Sequence, residues 1–202
     1  MTLLEVSDLA VDRGGRRVLA GLSFALGEGG LIVLTGPNGT GKSTLLRAVA
    51  GLLPIAEGAV RWSPNEPPIA ESCHYLGHLD ALKPQLSVHD NLSLWSHVAG
   101  APGLGIDAAL ERIGLAAIED LPAGHLSAGQ KRRVGFARLL LVRRPLWLLD
   151  EPTSALDSAA EALFGALLGE HVAGGGSAIV ATHRPLPVTP TARLDLGTVR
   201  TA

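Results

Sequence analysis

The nine residues GPNGTGKST, at positions 36 to 44, combine glycines, hydroxyl groups and one lysine in a spacing that suits phosphate binding. Glycines let the backbone curl so that successive N–H groups point at one anion. The apolar run LIVLTG precedes this curl, and apolar residues at helical spacing follow it. The positive N-terminal end of a helix would therefore face the same anion. Lys42 is then predicted to reach the outer phosphates of a nucleotide, and Ser43 to bind Mg²⁺. The pattern favours a P-loop over a glycine-rich turn with an exposed lysine, and its candidate binding residues are Gly36, Pro37, Asn38, Gly39, Thr40, Gly41, Lys42, Ser43 and Thr44.

The run PLWLLDE, at positions 145 to 151, brings two carboxylates to the end of an apolar segment. Asp150 is predicted to end a strand and to hold the shell of a bound Mg²⁺. Neighbouring side chains on a strand point in opposite directions, but a chain that turns at the strand end can aim both at one site. Glu151 would then polarise an attacking water. The run alone also suits a strand entering a turn, and its position downstream of the P-loop favours the catalytic interpretation.

A third apolar segment, IVATHR, ends at His183. We expect this strand to neighbour the strand that ends in Asp150, because strands alternate with helices in this part of the chain. In that place the imidazole would contact the terminal phosphate and orient the water. A lone histidine is more often structural, so the assignment depends on that neighbouring strand.

The stretch HLSAGQKRR, at positions 125 to 133, has three interpretations. The cluster Lys131–Arg133 could be a nucleic-acid patch or the solvated face of a helix. Alternatively, Ser127 and the small residues after it could begin a helix whose first turn faces an anion. The residues alone do not decide between them.

Composition excludes several classes of function. The 202 residues carry 17 basic and 19 acidic side chains, a formal charge of −2, so we expect no general affinity for nucleic acid or anionic lipid. Cys73 is the single cysteine, so no disulfide forms within the chain. The sequence shows neither a signal peptide nor the roughly 18 to 20 apolar residues that cross a bilayer. We therefore expect a soluble chain that meets a membrane only through a partner.

The elements that must position these motifs alternate between strand and helix. Two N-terminal strands joined by the RGGR turn at 13–16 predict an antiparallel hairpin. A proline-rich loop is expected at 63–72, and helical patterns fill 82–125. The predicted fold class is α/β, with a mainly parallel core sheet covered by helices, an N-terminal antiparallel β part and a small helical subdomain. We expect one domain over 1–202, with the helical subdomain 82–125 inserted in it.

A P-loop, then LSAGQ, then LLDEPTSALD, then ATH, in this order, resembles the nucleotide-binding domain of ABC ATPases. The resemblance covers nearly the whole chain. It implies a P-loop NTPase fold of the ABC type and the hydrolysis of ATP, with Mg²⁺, to ADP and phosphate. Glu151 and His183 would be the catalytic residues, and Asp150 and Ser43 would contact the metal.

The same resemblance implies a homodimer in which two domains enclose two nucleotides head to tail. Each helix start at LSAGQ would then bind the ATP held by the other subunit, so the first turn of that helix faces an anion rather than nucleic acid. Ser127 and the backbone N–H of Gly129 would bind the terminal phosphate, and Asp157 would act across the same interface. The residues of this group are Ser127, Ala128, Gly129, Gln130 and Asp157.

Two positions depart from the usual ABC pattern. Arg13 occupies the place of an aromatic residue that stacks on adenine, and a guanidinium can also stack on a purine. His78 falls in the place of a glutamine that reaches Mg²⁺. A histidine there could coordinate the metal, hydrogen-bond the water or merely occupy the loop.

The motifs YLGH, LSAGQ, RRP and LWLLDEP, together with the short chain, resemble the branch of the ABC family that serves cytochrome c maturation. This resemblance implies a peripheral protein on the cytoplasmic face of a bacterial inner membrane. Its partner would be a multi-spanning cytochrome c maturation subunit. Hydrolysis would serve heme export or the release of a heme-loaded chaperone. We expect the partner to place a short helix in the groove beside residues 78–91.

Three rival functions remain open from the sequence. The first is the ATPase of another ABC transporter, which would have the same ATP site and a different partner. The second is a non-transport ABC protein of translation or DNA repair, which the single P-loop and the absence of net positive charge disfavour. The third is a small-molecule kinase, which would leave LSAGQ unexplained.

Overall fold

The computed structural model describes residues 2–63, 67–99 and 102–197. Its strands are β1 (Thr2–Arg13), β2 (Arg16–Gly27), β3 (Leu31–Thr35), β4 (Glu57–Trp62), β5 (Cys73–Leu76), β6 (Leu146–Asp150), β7 (Ser177–Ala181) and β8 (Ala192–Asp195). Its helices are α1 (Lys42–Val49), α2 (Ile69–Ser72), α3 (Val88–Ala99), α4 (Ile106–Arg112), α5 (Ala128–Leu141) and α6 (Ser158–Ala173). Two 3₁₀ turns, Ala116–Ile118 and Ala123–His125, lie between α4 and α5.

The N-terminal strands form the predicted antiparallel part. β1 and β2 make a hairpin that turns at Gly14 and Gly15, whose φ angles of 56° and 75° are those that a tight two-residue turn requires. β4 pairs antiparallel with the other side of β1, which gives the order β2-β1-β4. The hairpin prediction is therefore confirmed.

Five parallel strands, in the order β5-β6-β7-β3-β8, form the central sheet. Strands β6 and β7 are buried along their whole length, which explains their continuous apolar runs. Ala181 of β7 lies beside Leu34 of β3 on one side and beside Asp150 of β6 on the other. These three strands therefore end level at one edge of the sheet, and the motif that follows each of them leaves the sheet at the same place.

The sheet separates two apolar layers. Leu148 of β6 points into the layer formed with α1 and the N-terminal strands, whereas Leu149 points into the layer formed with α3 to α6. In the second layer Phe136 of α5 packs against Phe164 of α6, with ring centroids 5.2 Å apart. Helix α5 is therefore fixed against the sheet by its apolar face.

The segment predicted to be helical contains α3 and α4, both of which pack against α5. Ser87 caps the start of α3, since its Oγ accepts a hydrogen bond from the N–H of Asp90 at 2.9 Å. The buried amide of Asn91 bonds the backbone of Lys83, Leu86 and Ser87 and fixes the loop before this helix. The division of the chain into one domain with an inserted subdomain at 82–125 stays a prediction.

Some expected boundaries differ from the structure. The helix predicted to follow the P-loop ends at Val49, because the chain turns at Gly51 with a φ of 72°. The proline-rich loop at 63–72 lies partly outside the described residues, and its end forms the short helix α2 rather than loop. The last strand of the described chain, β8, lies at the edge of the central sheet. Over the described parts of the chain, no helix is both long and apolar enough to cross a membrane.

Two partly buried histidines pack beside the sheet away from the motifs. His171 stacks on Trp147, with ring centroids 3.9 Å apart, and its Nε2 donates to the carbonyl oxygen of Ser177 at 3.1 Å. His74 Nε2 donates in the same way to the carbonyl of Val142 at 2.9 Å. The pKa of each imidazole is lowered to about 4, chiefly by burial, and at His74 nearby arginines contribute to this shift. Both side chains are therefore neutral in the folded protein at pH 7.

We expect acidification to destabilise the protein through these two histidines. In the unfolded chain they take up protons below a pKa of about 6.5, whereas the folded chain resists protonation down to about 4. Their contribution is thus complete above pH 6.5 and is lost as the pH falls towards 4, by on the order of 1 kcal/mol per histidine per pH unit. Urea unfolding between pH 7 and pH 5 measures it. The double variant His74→Gln, His171→Gln should flatten the dependence and exposed His97→Gln should not. A wild-type slope in the double variant would contradict this assignment.

Candidate functional site

The P-loop segment connects β3 to α1 with its backbone curled. Gly36, Gly39 and Gly41 have φ angles of 126°, 86° and 98°, which glycine adopts without strain. A Cβ at Gly36 would lie 2.9 Å from the backbone nitrogen of Gly197, and one at Gly41 would lie 2.7 Å from Cδ2 of Leu19. At Gly36 the close atom is backbone, so glycine is required for space as well as for conformation. At Gly41 the close atoms belong to side chains of β2, which packs directly against the loop.

Lys42 lies inside this curl and is only 7% exposed. Its Nζ donates to the carbonyl oxygens of Gly36 at 2.6 Å and Pro37 at 3.0 Å. Thr40 Oγ1 also donates to Pro37 O at 3.0 Å, which closes the loop further. No side chain caps the N-terminus of α1 and its first turn holds no acidic residue. The helix end and the ammonium therefore offer positive charge to the same region.

The chain turns sharply where β6 ends. Asp150 is the last residue of the strand and is buried, and Glu151 has a φ of 48°, in the left-handed region. The N–H of Glu151 still donates to Ala181 O of the neighbouring strand at 2.8 Å. This turn breaks the alternation of the strand, which is what the prediction of two carboxylates at one site required.

His183 brings the separate motifs together. Its Nε2 lies 3.3 Å from Oε1 of Glu151, 3.1 Å from Oδ1 of Asn38 and 3.4 Å from Nζ of Lys42. A proton on Nε2 would be donated to the carboxylate or to the amide oxygen, whereas an unprotonated Nε2 would accept from the ammonium. The side chains of His183 and Glu151 are 48% and 27% exposed, so solvent and a ligand can reach them. Glutamate, histidine and lysine thus meet at one point beside the P-loop.

Arg132 belongs to this region, although its sequence position indicates only membership of a basic cluster. The side chain is 4% exposed. It donates to the carbonyl oxygens of Asp150 (2.8 Å), Glu151 (3.0 Å), Pro152 (3.0 Å) and Gly77 (2.7 Å), and its Nη1 lies 3.3 Å from Oδ1 of Asp80. Burial lowers the pKa of Arg132, and the charge of Asp80 opposes that effect.

A signal for this burial is present in the sequence. Arg132, Phe136 and Leu139 are spaced i, i+4 and i+7, and all three are buried on one face of α5. Helical spacing therefore separates Arg132 from Lys131 and Arg133, which are partly exposed. Arg133 donates one long bond, of 3.3 Å, to the carbonyl of Ile113. Arg132, the central residue of the cluster, is therefore buried and is not part of a basic surface. This disfavours the nucleic-acid interpretation of the cluster.

The start of α5 is a capping box. Ser127 Oγ accepts from the N–H of Gln130 at 3.2 Å, and Oε1 of Gln130 accepts from the N–H of Ser127 at 2.8 Å. The first turn carries no acidic residue, and Ser127 and Ala128 are exposed. The helix end is thus well formed and accessible to an anion.

The loop that follows Glu151 lies against this helix start. A Cβ on Gly129 would come within 3.1 Å of the carbonyl oxygen of Ala155, so the small residue permits a close approach. Asp157 ends the loop and caps α6 by accepting from the N–H of Ala160 at 2.8 Å. The structure therefore gives Asp157 a local role as the N-cap of α6, and its predicted action across a dimer interface stays a prediction.

Arg13 and His78 lie at exposed positions. Arg13 ends β1 at the hairpin turn, opposite Arg16, while β2 of the same hairpin reaches the P-loop. His78 follows β5, directly after Gly77, whose carbonyl accepts from Arg132. Adenine stacking by Arg13 and metal contact by His78 stay predictions.

The predicted metal ligands are suitable in type for Mg²⁺. Ser43, in the first turn of α1, offers a hydroxyl, and Asp150, at the end of β6, offers a carboxylate. Such oxygen ligands suit a hard cation that also keeps water and phosphate oxygens. Within the described residues no group of three or more His, Cys, Asp and Glu side chains could hold a metal by itself. The donor set therefore fits a Mg²⁺ that arrives with a phosphate ligand.

Comparison with known proteins agrees with this arrangement. The family described as "ABC transporter" matches residues 19–154, which include the P-loop, the start of α5 and the Asp150–Glu151 turn. The chain belongs to the ABC transporter family.

Two similar proteins from different bacteria have the same name. It is 53% identical over 178 residues to "Cytochrome c biogenesis ATP-binding export protein CcmA" of Rhodopseudomonas palustris (strain BisB5), covering 87% of this chain and 89% of that protein. The protein of the same name from Chelativorans sp. (strain BNC1) is 48% identical over 197 residues, 96% and 98% of the two chains. Among solved structures, a putative ABC transporter ATP-binding protein of Pyrococcus furiosus matches with a TM-score of 0.83 and 26% identity, covering 98% and 99%. The ABC-type fold predicted from the motifs is confirmed.

We expect removal of the Asp157 cap to destabilise the protein modestly. Asp157→Ala removes the acceptor for Ala160 N–H and a negative charge at the N-terminus of α6, which together contribute about 1 kcal/mol. Asp157→Ser keeps a capping oxygen and should recover most of that loss. Urea unfolding at pH 7 measures both. Equal destabilisation by the two variants would show that the cap is not the source of the effect.

Proposed function

We propose that this chain is the ATP-hydrolysing subunit of a membrane ABC complex for c-type cytochrome biogenesis, acting in heme export or in the release of a heme-loaded chaperone. The observation that carries the hydrolytic part is the meeting of Glu151, Lys42 and Asn38 at Nε2 of His183. The observation that supports the branch is the identity of about half of the aligned residues with proteins named for cytochrome c biogenesis.

Binding of ATP would use the P-loop. The backbone N–H groups of residues 36–44 and the first turn of α1 would donate to phosphate oxygens. Lys42 would exchange its bonds to the carbonyls of Gly36 and Pro37 for bonds to the β and γ phosphates, which are stronger because the acceptors are charged. Arg13 would lie under the adenine ring.

Hydrolysis would use the two residues at the edge of the sheet. Glu151 accepts a proton from water, the water oxygen bonds to the γ phosphorus, and the bond from that phosphorus to the β,γ-bridging oxygen breaks. His183 lies between the carboxylate and the P-loop, where its Nε2 would hold the water and the γ phosphate in line. The products are ADP and phosphate.

Ser43 and Asp150 would hold Mg²⁺, with His78 as a further candidate ligand. When bound, the ion neutralises charge on the β and γ phosphates. The position of Asp150 at the end of a buried strand, at the same edge as Glu151, supports this role.

We propose further that two copies of the chain enclose two ATP molecules head to tail. Ser127 Oγ accepts from the backbone at Gln130, so its own O–H is left to donate to a phosphate on the other subunit. The N–H of Gly129 and the positive end of α5 would face the same phosphate, and the small side chain of Ala128 would allow close approach. Asp157 would contact the partner from the adjoining loop.

Glu151→Gln should form a dimer that persists in ATP, because binding remains while the proton acceptor is lost. We expect hydrolysis to fall by at least 100-fold, the scale of a missing general base. Light scattering and gel filtration with ATP and with ADP measure assembly, and phosphate release measures turnover. Glu111→Gln, an exposed carboxylate on α4, is the charge-matched control and should behave as wild type. A Glu151→Gln variant that stays monomeric in saturating ATP at high protein concentration would contradict the dimer.

The membrane partner would be a multi-spanning subunit of the cytochrome c maturation system, which holds the chain on the cytoplasmic face of the bacterial inner membrane. Its docking site would be the groove beside residues 78–91. Leu79 there is 81% exposed, and Pro84 is exposed in a loop whose backbone is fixed by Asn91. A cavity of about 310 Å³ is lined by Leu52, Trp95 and Arg138, and Arg138 also donates to Asp80 O in the 78–91 segment. The cavity is of a size to receive apolar side chains of a short helix.

We expect photo-crosslinkers at Leu79 and Pro84 to capture the multi-spanning subunit in membranes that contain the whole maturation system. The same crosslinker at Ala173, an exposed residue at the C-terminal end of α6, should not capture the multi-spanning subunit. Mass spectrometry of the adduct identifies the partner. An assembled complex without any adduct at Leu79 or Pro84 would argue against this groove, and an adduct with an unrelated transporter subunit would argue against the cytochrome branch.

A further inference from the structure

We propose that Arg132 is a positioning residue for ATP hydrolysis: its guanidinium holds the backbone turn that aims Glu151, and its contacts with Gly77 and Asp80 tie this turn to the partner-facing segment. The inference rests on the proposed function, in which Glu151 accepts the proton of the attacking water. Arg132 itself touches neither nucleotide nor water in this scheme and acts through Glu151.

The hydrogen-bond acceptors of Arg132 lie at the turn that carries Glu151. Arg132 donates to the carbonyl oxygens of three consecutive residues, Asp150, Glu151 and Pro152. The middle residue has a φ of 48°, a conformation that a non-glycine residue holds only when its surroundings fix it. On the other side the N–H of Glu151 is held by Ala181 O of β7. The turn is thus fixed at its N–H by the sheet and at its carbonyls by Arg132.

The side chain of Arg132 is buried. A guanidinium that is 4% exposed is stable only when its donors are satisfied, and here all three of its nitrogens donate. A planar fork with five N–H groups can reach acceptors in several directions at once, whereas a lysine ammonium presents its donors from one atom. The site is therefore specific for arginine, and lysine would keep the charge but lose the geometry.

Arg132 also connects the turn at Glu151 with a segment at the protein surface. Nη1 of Arg132 donates to Gly77 O at 2.7 Å and lies 3.3 Å from Asp80 Oδ1, and Arg138 of the same helix donates to Asp80 O at 2.9 Å. Between these anchor points lies Leu79, which is 81% exposed. A shift of Gly77 and Asp80 would change the hydrogen bonds of Arg132. The same side chain would pass that change to the carbonyls that fix Glu151.

The variants Arg132→Lys and Arg132→Gln test the positioning role in the full chain. We expect kcat for ATP hydrolysis to fall on the order of 10- to 100-fold, the scale of a misplaced reacting group, while KM for ATP changes less than about threefold. Arg133→Gln is the matched control: it removes an arginine from the next position of α5, which makes one long bond to Ile113 O, and should keep wild-type kcat. Thermal melting of each variant measures whether it is folded.

A double variant separates positioning from general support of the fold. If Arg132 acts through Glu151, then adding Arg132→Lys to Glu151→Gln should cause no further loss in single-turnover hydrolysis, since the positioned group is already absent. The double variant should also still dimerise in ATP. A merely structural role predicts the opposite: the two losses multiply and ATP-dependent assembly disappears.

Asp80→Asn provides a measurement that does not depend on the folding of the Arg132 variants. It leaves the carbonyl contacts of Arg132 in place and removes the charge that links the side chain to the surface segment. We expect a smaller loss of kcat, of about two- to tenfold, at unchanged KM. An unchanged kcat would overturn the link to the surface segment.

The outcomes for the two hypotheses are distinct. Wild-type kcat in Arg132→Lys, or a loss that tracks a fall in melting temperature and ATP affinity, would overturn the positioning role while Glu151→Gln remains inactive. A chain that hydrolyses no ATP, or a Glu151→Gln variant with wild-type turnover, would overturn the proposed function and this inference with it.

Discussion

The register of three buried parallel strands determines where the candidate functional site of this protein lies. Ala181 of β7 pairs with Leu34 of β3 and with Asp150 of β6, so the three strands end at one level. Each is followed within two residues by a different motif: the P-loop, the Glu151 turn and His183. The strands are apolar on both faces and cannot slip without exposing buried side chains. The relative positions of the three motifs are therefore set by the core rather than by the flexible loops.

Helix α5 connects this edge with the rest of the molecule. Its apolar face packs Phe136 against α6, its start presents Ser127 to solvent, and Arg132 lies between these two regions with its charge buried among carbonyl oxygens. A rigid helix with such contacts cannot move at one end without moving the other. The exposed helix start, the turn at Glu151 and the segment around Leu79 are thus connected through contacts of one helix.

Much of the fold and the site follows from the sequence because each motif is contiguous and each lies next to an element with a clear period. The hairpin, the buried strands, the P-loop and the helix start at Ser127 could all be predicted in this way. The part that could not is the part that depends on contacts distant in the chain. Arg132 is separated by 55 residues from Gly77, and its acceptors are backbone carbonyls, which carry no signature of residue type. The left-handed conformation of Glu151 is likewise invisible, because glutamate rarely adopts it.

The bonds of Lys42 within its own loop have a consequence for the kind of anion that can enter. The ammonium already has two carbonyl acceptors, at 2.6 Å and 3.0 Å, in a pocket with little access for water. An entering ligand must therefore compete with peptide dipoles rather than with bulk solvent. A monovalent anion with diffuse charge is a weak competitor, whereas a chain of phosphates offers several charged oxygens at once. The loop is thus expected to bind polyphosphates in preference to simple monovalent anions, independently of any contact with a base or sugar.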